Sequence, residues 1–190
     1  MTKYISVLSS KQSENFEAIK EYFKDKDTET IQTDSIIEAS DADLCIVDEF
    51  HGHLKPEILE CTRFIKIHYS LLPAFDSNTP VEDAFEAGVK ISGVTINYIN
   101  EDGTNGRIIA QYPVFLDYTT TLDEFRQECC NVSQKLAPFA AESVLNDVIF
   151  NFGMLLNPQG GCNACKDGTD GCSGCRSKKQ PIILKSMLKK

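Results

Sequence analysis

Short apolar runs at residues 4–8, 44–47 and 64–67 have the length and composition of buried strands. Residues 15–23, 56–61 and 80–87, which separate or follow them, carry apolar positions at helical spacing. Two longer runs, residues 91–98 and 107–115, flank a polar, glycine-containing stretch at 101–106 and predict a hairpin-like turn between strands. From residue 122 to about 152 the periodicity is helical, with a break or kink expected at Pro138. No internal repeat with a period of roughly 20 to 50 residues is visible. Alternating strands and helices predict a Rossmann-like α/β domain over residues 1–156: a mostly parallel sheet with helices on both faces and one antiparallel excursion.

The length of 190 residues suits one such domain with room for a small appendage. A net charge of −9 and an isoelectric point near 4.8 argue against nucleic acid or a membrane surface as the main partner. No apolar run reaches the roughly 18 to 20 residues of a membrane span. The amino terminus has a strand-length apolar run followed by polar residues, unlike a signal peptide, so the expected location is the cytoplasm.

The segment Phe64-Ile65-Lys66-Ile67-His68-Tyr69-Ser70-Leu71-Leu72-Pro73-Ala74-Phe75 carries the most chemistry. Its apolar run ends on a histidine, and Ser-Leu-Leu-Pro turns the chain. The carboxyl end of a buried strand is where open α/β sheets place ligands. A histidine there, taken alone, reads as a satisfied strand-end residue. The segment resembles the active-site strand of folate-dependent formyltransferases, whose form is roughly Asn-x-His-Pro-Ser-Leu-Leu-Pro, and is most similar to the glycinamide ribonucleotide formyltransferase branch. Glu86-Ala87-Gly88-Val89-Lys90-Ile91-Ser92-Gly93-Val94-Thr95-Ile96 resembles that family's next helix-to-strand passage. Glu101-Asp102-Gly103-Thr104-Asn105-Gly106-Arg107-Ile108-Ile109-Ala110-Gln111 resembles its following loop and strand. Residues 7–19 resemble its first strand, phosphate loop and helix. The likeness covers about residues 1–150 and thins between Tyr22 and Asp43, where this chain is shorter.

The resemblance implies a formyltransferase fold, a tetrahydrofolate derivative as co-substrate and transfer of a formyl group to an amine through a tetrahedral oxyanion. It also implies a catalytic trio of Asn, His and Asp. Mapped onto this chain, the histidine is His68, the Asn position holds Lys66 and the Asp position holds Thr104. Lys66 and His68 are two apart on one strand and share a face. The Lys66 ammonium offers positive charge to an oxyanion but depresses the pKa of His68. Thr104 carries no charge, and Asp102 replaces the lost carboxylate only if the loop is re-routed. In the nucleotide-using branch the first loop is glycine-rich, whereas Lys11-Gln12-Ser13-Glu14-Asn15 has no glycine. Glu14 repels a phosphate and Lys11 attracts one, while Ser13 ahead of Phe16 and Ile19 reads as a helix N-cap. A third region, Asp48-Glu49-Phe50-His51-Gly52-His53-Leu54, falls where relatives cover the pterin with a Met-Arg pair, replaced here by His51 and Gly52. It reads as a remodelled ligand-facing loop, with a metal site on His51, His53, Asp48 and Glu49 as the weaker reading. The small-molecule ligand is accordingly assigned to Ser10, Lys11, Asn15, Phe50, His51, Gly52, Leu54 and Asp102.

Beyond residue 157 the composition changes. Of eight cysteines, Cys162, Cys165, Cys172 and Cys175 fall in a C-x2-C-x6-C-x2-C pattern among Gly, Asp, Asn and Ser. Residues 157–176 therefore read as a four-thiolate metal segment, holding an iron–sulfur cluster or zinc. Two disulfides or a redox dithiol are the alternatives, and a reducing compartment disfavours the disulfides. Cys45, Cys61, Cys129 and Cys130 read as core or helix-face thiols. Residues 177–190 form a basic tail with Ile182, Ile183, Leu184, Met187 and Leu188 at helical spacing. That pattern fits packing on its own domain, on a second copy in a homodimer, or on an acidic partner protein. Two functions follow: a formyltransferase with altered substrate, or a non-catalytic metal-carrying, redox-responsive binding module.

Overall fold

The sheet of the computed structural model, which describes residues 2–50 and 52–152, has the strand order β2-β1-β3-β4-β5-β6. Along the chain the elements are β1 (Lys3–Leu8), α1 (Glu14–Phe23), β2 (Thr28–Thr33), α2 (Ile36–Ser40), β3 (Leu44–Val47), α3 (Pro56–Leu59), β4 (Arg63–His68), α4 (Pro80–Glu86), β5 (Ile91–Ile99), β6 (Asn105–Phe115) and α5 (Leu122–Leu145). β2, β1, β3 and β4 are parallel, and β5 runs antiparallel to both β4 and β6. The expected single antiparallel excursion is thus β5.

Strand alternation divides the core into two. Ile5, Val7, Leu44, Ile46, Ile65 and Ile67 pack against Ile19 and Phe23 of α1, Val81 and Ala84 of α4, and the apolar stripe of α5. On the opposite face Leu8, Cys45, Val47 and Phe64 pack with Ala39, Leu54 and Leu59. β3 is buried along its whole length, which explains why Leu-Cys-Ile-Val has no polar position. Each large side chain buried this way contributes about 1.5–3 kcal/mol. The chain moves outward from β1 to β2 and then crosses back to lay β3 on β1's other side. Loops leaving β1 and β3 therefore diverge, which makes the gap between them a topological switch point.

Several boundaries differ from the expectations. β2 and α2 were not anticipated: Thr-Glu-Thr-Ile-Gln-Thr has one apolar residue, because an edge strand is held by its backbone ladder to β1 and buries little. The last helix passes through Pro138 as one element and stops at Leu145, seven residues before the expected end. Asn146 N–H closes the last turn on Glu142 O at 3.0 Å, and Asp147 then takes a φ of 52°. β4 includes His68 as its final residue, and the hairpin turn is shorter than expected because Asn105 and Gly106 already belong to β6. Cys61 is exposed just past α3 with its Sγ–H donated to Glu57 O, whereas Cys45 and Cys129 are buried. Cys162, Cys165, Cys172 and Cys175 and the basic tail lie outside the described residues.

Candidate active site

A cleft of about 810 Å³ opens at the carboxyl edge of the parallel strands, over the switch point. Residues 10–15 after β1, 47–50 after β3, 66–69 at the end of β4 and 77–82 at the head of α4 line it, together with Asp123, Arg126, Gln127 and Cys130 of α5.

His68 is 2% exposed and faces the same side of the sheet as Lys66, across from Thr95. Its Nε2 lies 3.1 Å from Phe75 O. A carbonyl only accepts, so Nε2 carries the hydrogen and the lone pair of the neutral ring is at Nδ1. Burial pushes the pKa of His68 below its ordinary value, and the Lys66 charge acts the same way. The hydrogen bond to Phe75 and the charge of Asp76 push back without reversing the shift. At pH 7 the ring is neutral.

The turn after His68 is fixed from β5 and β6. Thr95 Oγ1 donates to Ser70 O at 2.6 Å and accepts from Leu72 N at 3.1 Å, while Gln111 Nε2 donates to Leu72 O at 2.9 Å. Ser70 Oγ donates to Ala74 O at 2.6 Å, and the Leu72–Pro73 peptide bond is cis. Thr95 and Gln111 belong to residues 86–96 and 101–111, and only cross-strand register brings them to this turn.

Lys66 pairs in register with Asn97, which is fully buried. Asn97 Nδ2 donates to Asn105 Oδ1 at 3.2 Å, and Asn105 Nδ2 donates to Asp76 Oδ1 at 2.6 Å. This chain of amides ends on the carboxylate whose charge acts on His68. It carries no local sequence signal. The structure does not bring Thr104 and Asp102 to His68: Thr104 N and Oγ1 both donate to Asp102 Oδ1, at 3.0 and 2.6 Å, on an exposed hairpin tip outside the cleft lining.

On the α1 side, Asp48 is buried and held by three neutral donors. Ser13 Oγ and Asn15 Nδ2 donate to its Oδ2 at 2.6 and 3.0 Å, and Tyr69 OH donates to its Oδ1 at 2.9 Å. Asn15 in turn accepts from Ser133 Oγ at 2.7 Å. Ser13 also caps α1, accepting from Phe16 N at 3.1 Å. Burial and the Asp48 charge hold the Tyr69 phenol far above its ordinary pKa, so it remains a donor. Tyr69 occupies the place of Pro in the motif, a sequence signal for this network beside the Ser13 cap.

Ser10, Lys11, Asn15 and Phe50 line the cleft; Lys11 pairs with Glu49 at 2.6 Å. Phe50 lies over Gly52, where a Cβ would come within 2.3 Å of its ring. Leu54 instead packs into the smaller core, and His51 lies outside the described residues. Among the described residues no group of three His, Cys, Asp or Glu side chains is placed to hold a metal. Among them, too, no helix is long and apolar enough to cross a membrane.

The fold is shared with solved structures: phosphoribosylglycinamide formyltransferase from Anaplasma phagocytophilum superposes with a TM-score of 0.68 at 21% identity, covering 77% of this chain and 88% of that one. The enzyme of the same title from Bacillus halodurans gives 0.64 at 24% identity, covering 78% and 100%. In sequence, formyltetrahydrofolate deformylase of Escherichia coli (strain K12) is 32% identical over 119 residues, 62% of this chain and 42% of that protein. Phosphoribosylglycinamide formyltransferase of Bacillus subtilis (strain 168) is 39% identical over 83 residues, 44% of this chain and 43% of that protein. The chain thus spans less than half the length of either relative. Residues 6–140 match the family described as Formyl transferase, and with the sheet order and the placement of His68 this establishes that the chain belongs to the formyl transferase family.

Proposed function

We propose that the cleft binds a formylated tetrahydrofolate derivative beside His68 and that transfer of its formyl group to an amine is much slower than at a site holding Asn and Asp. One observation carries this reading. His68 is neutral in the switch-point cleft, while the residues at the other two catalytic positions are a lysine and an exposed hairpin-tip threonine. In such a transfer the free-base amine nitrogen bonds to the formyl carbon, an oxyanion develops, the amine proton leaves, and collapse of the oxyanion breaks the bond to the folate nitrogen, which departs with a proton. The Nδ1 lone pair of His68 is the proton acceptor this site offers. Lys66 offers the oxyanion a flexible point charge rather than a preorganised donor. Loss of one such donor costs about 10²–10³ in rate. The relatives' names, a formyltetrahydrofolate deformylase and a phosphoribosylglycinamide formyltransferase, support a formylfolate donor. The test is single-turnover transfer from 10-formyltetrahydrofolate to small amines. Slow transfer that falls further in His68→Ala is expected; fast transfer indifferent to His68→Ala would overturn the reading.

A second reading rests on the tail sequence. We propose that residues 157–176 carry one metal centre on Cys162, Cys165, Cys172 and Cys175, an iron–sulfur cluster or zinc, because each C-x2-C can supply two thiolates to one ion or cluster. Reduced thiolates suit a cytoplasmic setting. On this reading residues 177–190 serve as a basic docking segment, for a second copy or an acidic partner. The absorption spectrum and metal content of anaerobically purified protein distinguish cluster, zinc and neither.

A further inference from the structure

The amino end of α1 faces the cleft, and such an end ordinarily offers N–H groups and partial positive charge to an anion. In this protein an anion already stands there. Asp48 closes β3, and its buried carboxylate accepts from the capping Ser13 hydroxyl and the Asn15 amide of the first turn. The next residue, Glu49, has a φ of 48°, a left-handed conformation that turns its carboxylate back to Lys11 in the same loop. Two consecutive carboxylates thus engage both the helix end and its neighbouring lysine. On the far wall Arg126 is paired with Glu82 at 2.7 Å and Asp123 at 2.9 Å. Glu14 adds a further anion at the cleft, accepting from Gln134 Nε2 at 2.7 Å.

We propose that Asp48, with Glu49, is a built-in anion that excludes phosphate from the head of α1 and makes the cleft a site for an unphosphorylated, cationic amine. The inference rests on the cleft being the acceptor site proposed above, and it names the acceptor's class. Asp48 is the dominant member of the pair. It is buried, so its charge is poorly screened, whereas Lys11 and Glu49 are exposed and contribute little. A phosphate at the helix end meets a carboxylate held by the same hydroxyl and amide it would need. An amine meets a wall whose cations other than Lys66 are already paired.

The test is equilibrium binding by calorimetry, without a formyl donor, of phosphoribosylglycinamide and of the riboside lacking its phosphate. A chain with no transferase activity can still pass or fail it, which separates this inference from the catalytic reading. The wild type is expected to prefer the riboside by about ten-fold or more at low ionic strength. Because Asp48 is buried, most of that preference should survive rising salt, a readout that needs no variant. Asp48→Asn keeps the side chain's size and removes its charge; it should abolish the preference, and Glu49→Gln should reduce it only slightly. Wild-type protein that binds the ribonucleotide as tightly as the riboside, or an Asp48→Asn variant, folded by circular dichroism, with the preference unchanged, would overturn the proposal.

Discussion

The phenol of Tyr69 donates to Oδ1 of Asp48 at 2.9 Å, tying the residue after His68 to the residue that closes β3. The bond crosses from the end of β4 to that of β3, so it fixes two walls of the cleft relative to each other. Asn15 Nδ2 reaches both ends of the pair, at 3.0 Å to the carboxylate and 2.9 Å to the phenol. Tyr69→Phe removes one of three donors from a buried carboxylate without changing the ring. It should lower stability by about 1–3 kcal/mol, read from urea unfolding midpoints at pH 7. An unchanged midpoint would mean that water replaces the phenol and that the network is not closed.

The depressed pKa of His68 gives stability a pH dependence of definite sign. The folded state holds its ring below the ordinary value of 6.5. As pH falls through that value, the unfolded chain takes up a proton that the folded chain refuses. Stability is therefore full above about pH 6.5 and declines below it until the folded ring also titrates. The carboxylates held below their ordinary values, such as Glu82 and Asp117, act only at lower pH. His68→Gln should flatten the slope of unfolding free energy between about pH 6.5 and 5. A slope that survives the substitution would place the proton uptake elsewhere.

What could be read in advance follows the physics of each element. β1, β3 and β4 stood out because a strand buried on both faces is a plain apolar run. β2 did not, since an edge strand of threonines pairs through its backbone and buries little. His68 and the switch-point position were legible from one motif. The partners of that histidine were not: Thr95, Asn97 and Gln111 reach the turn or Lys66 only through antiparallel register, and Asp76 lies in a loop. Asp102 was a reasonable substitute for a missing carboxylate by sequence distance, but the short hairpin commits it to Thr104.

The carboxylate that acts on His68 is Asp76, and this is separable from Asp102 by titration. Asp76→Asn removes a charge that opposes the downward shift, so the His68 pKa should fall further, followed by the imidazole NMR resonances. Asp102→Asn should leave that titration in place. A larger response to Asp102→Asn would show that the hairpin tip approaches the histidine in solution.

The tail reading makes a separate demand. Substituting any one of Cys162, Cys165, Cys172 or Cys175 by Ser should remove most of the metal, because three thiolates leave the site open to water and chelators. Cys61→Ser, at an exposed position with no cluster around it among the described residues, should leave metal content unchanged. Full metal content in the quadruple Ser variant would end this reading.

The sharpest contrast concerns positions 66 and 104. Lys66 lies in the cleft on the same face as His68, so Lys66→Asn places an amide where an oxyanion needs a fixed donor and removes a charge that depresses His68. Single-turnover transfer from 10-formyltetrahydrofolate should rise by about ten-fold or more, up to the limit of about 10²–10³ that one preorganised donor commands. Thr104→Asp places its carboxylate on the exposed tip beside Asp102, where it meets like charge and stays outside the cleft lining. Added to Lys66→Asn it should change the rate by no more than about two-fold, even though residues of one catalytic unit ordinarily act non-additively. A fall in rate in Lys66→Asn would identify the ammonium as this site's own oxyanion partner. A large further gain from Thr104→Asp would require the hairpin to fold over His68 when a folate binds, and Asp76 would then not be the only carboxylate whose charge reaches the histidine.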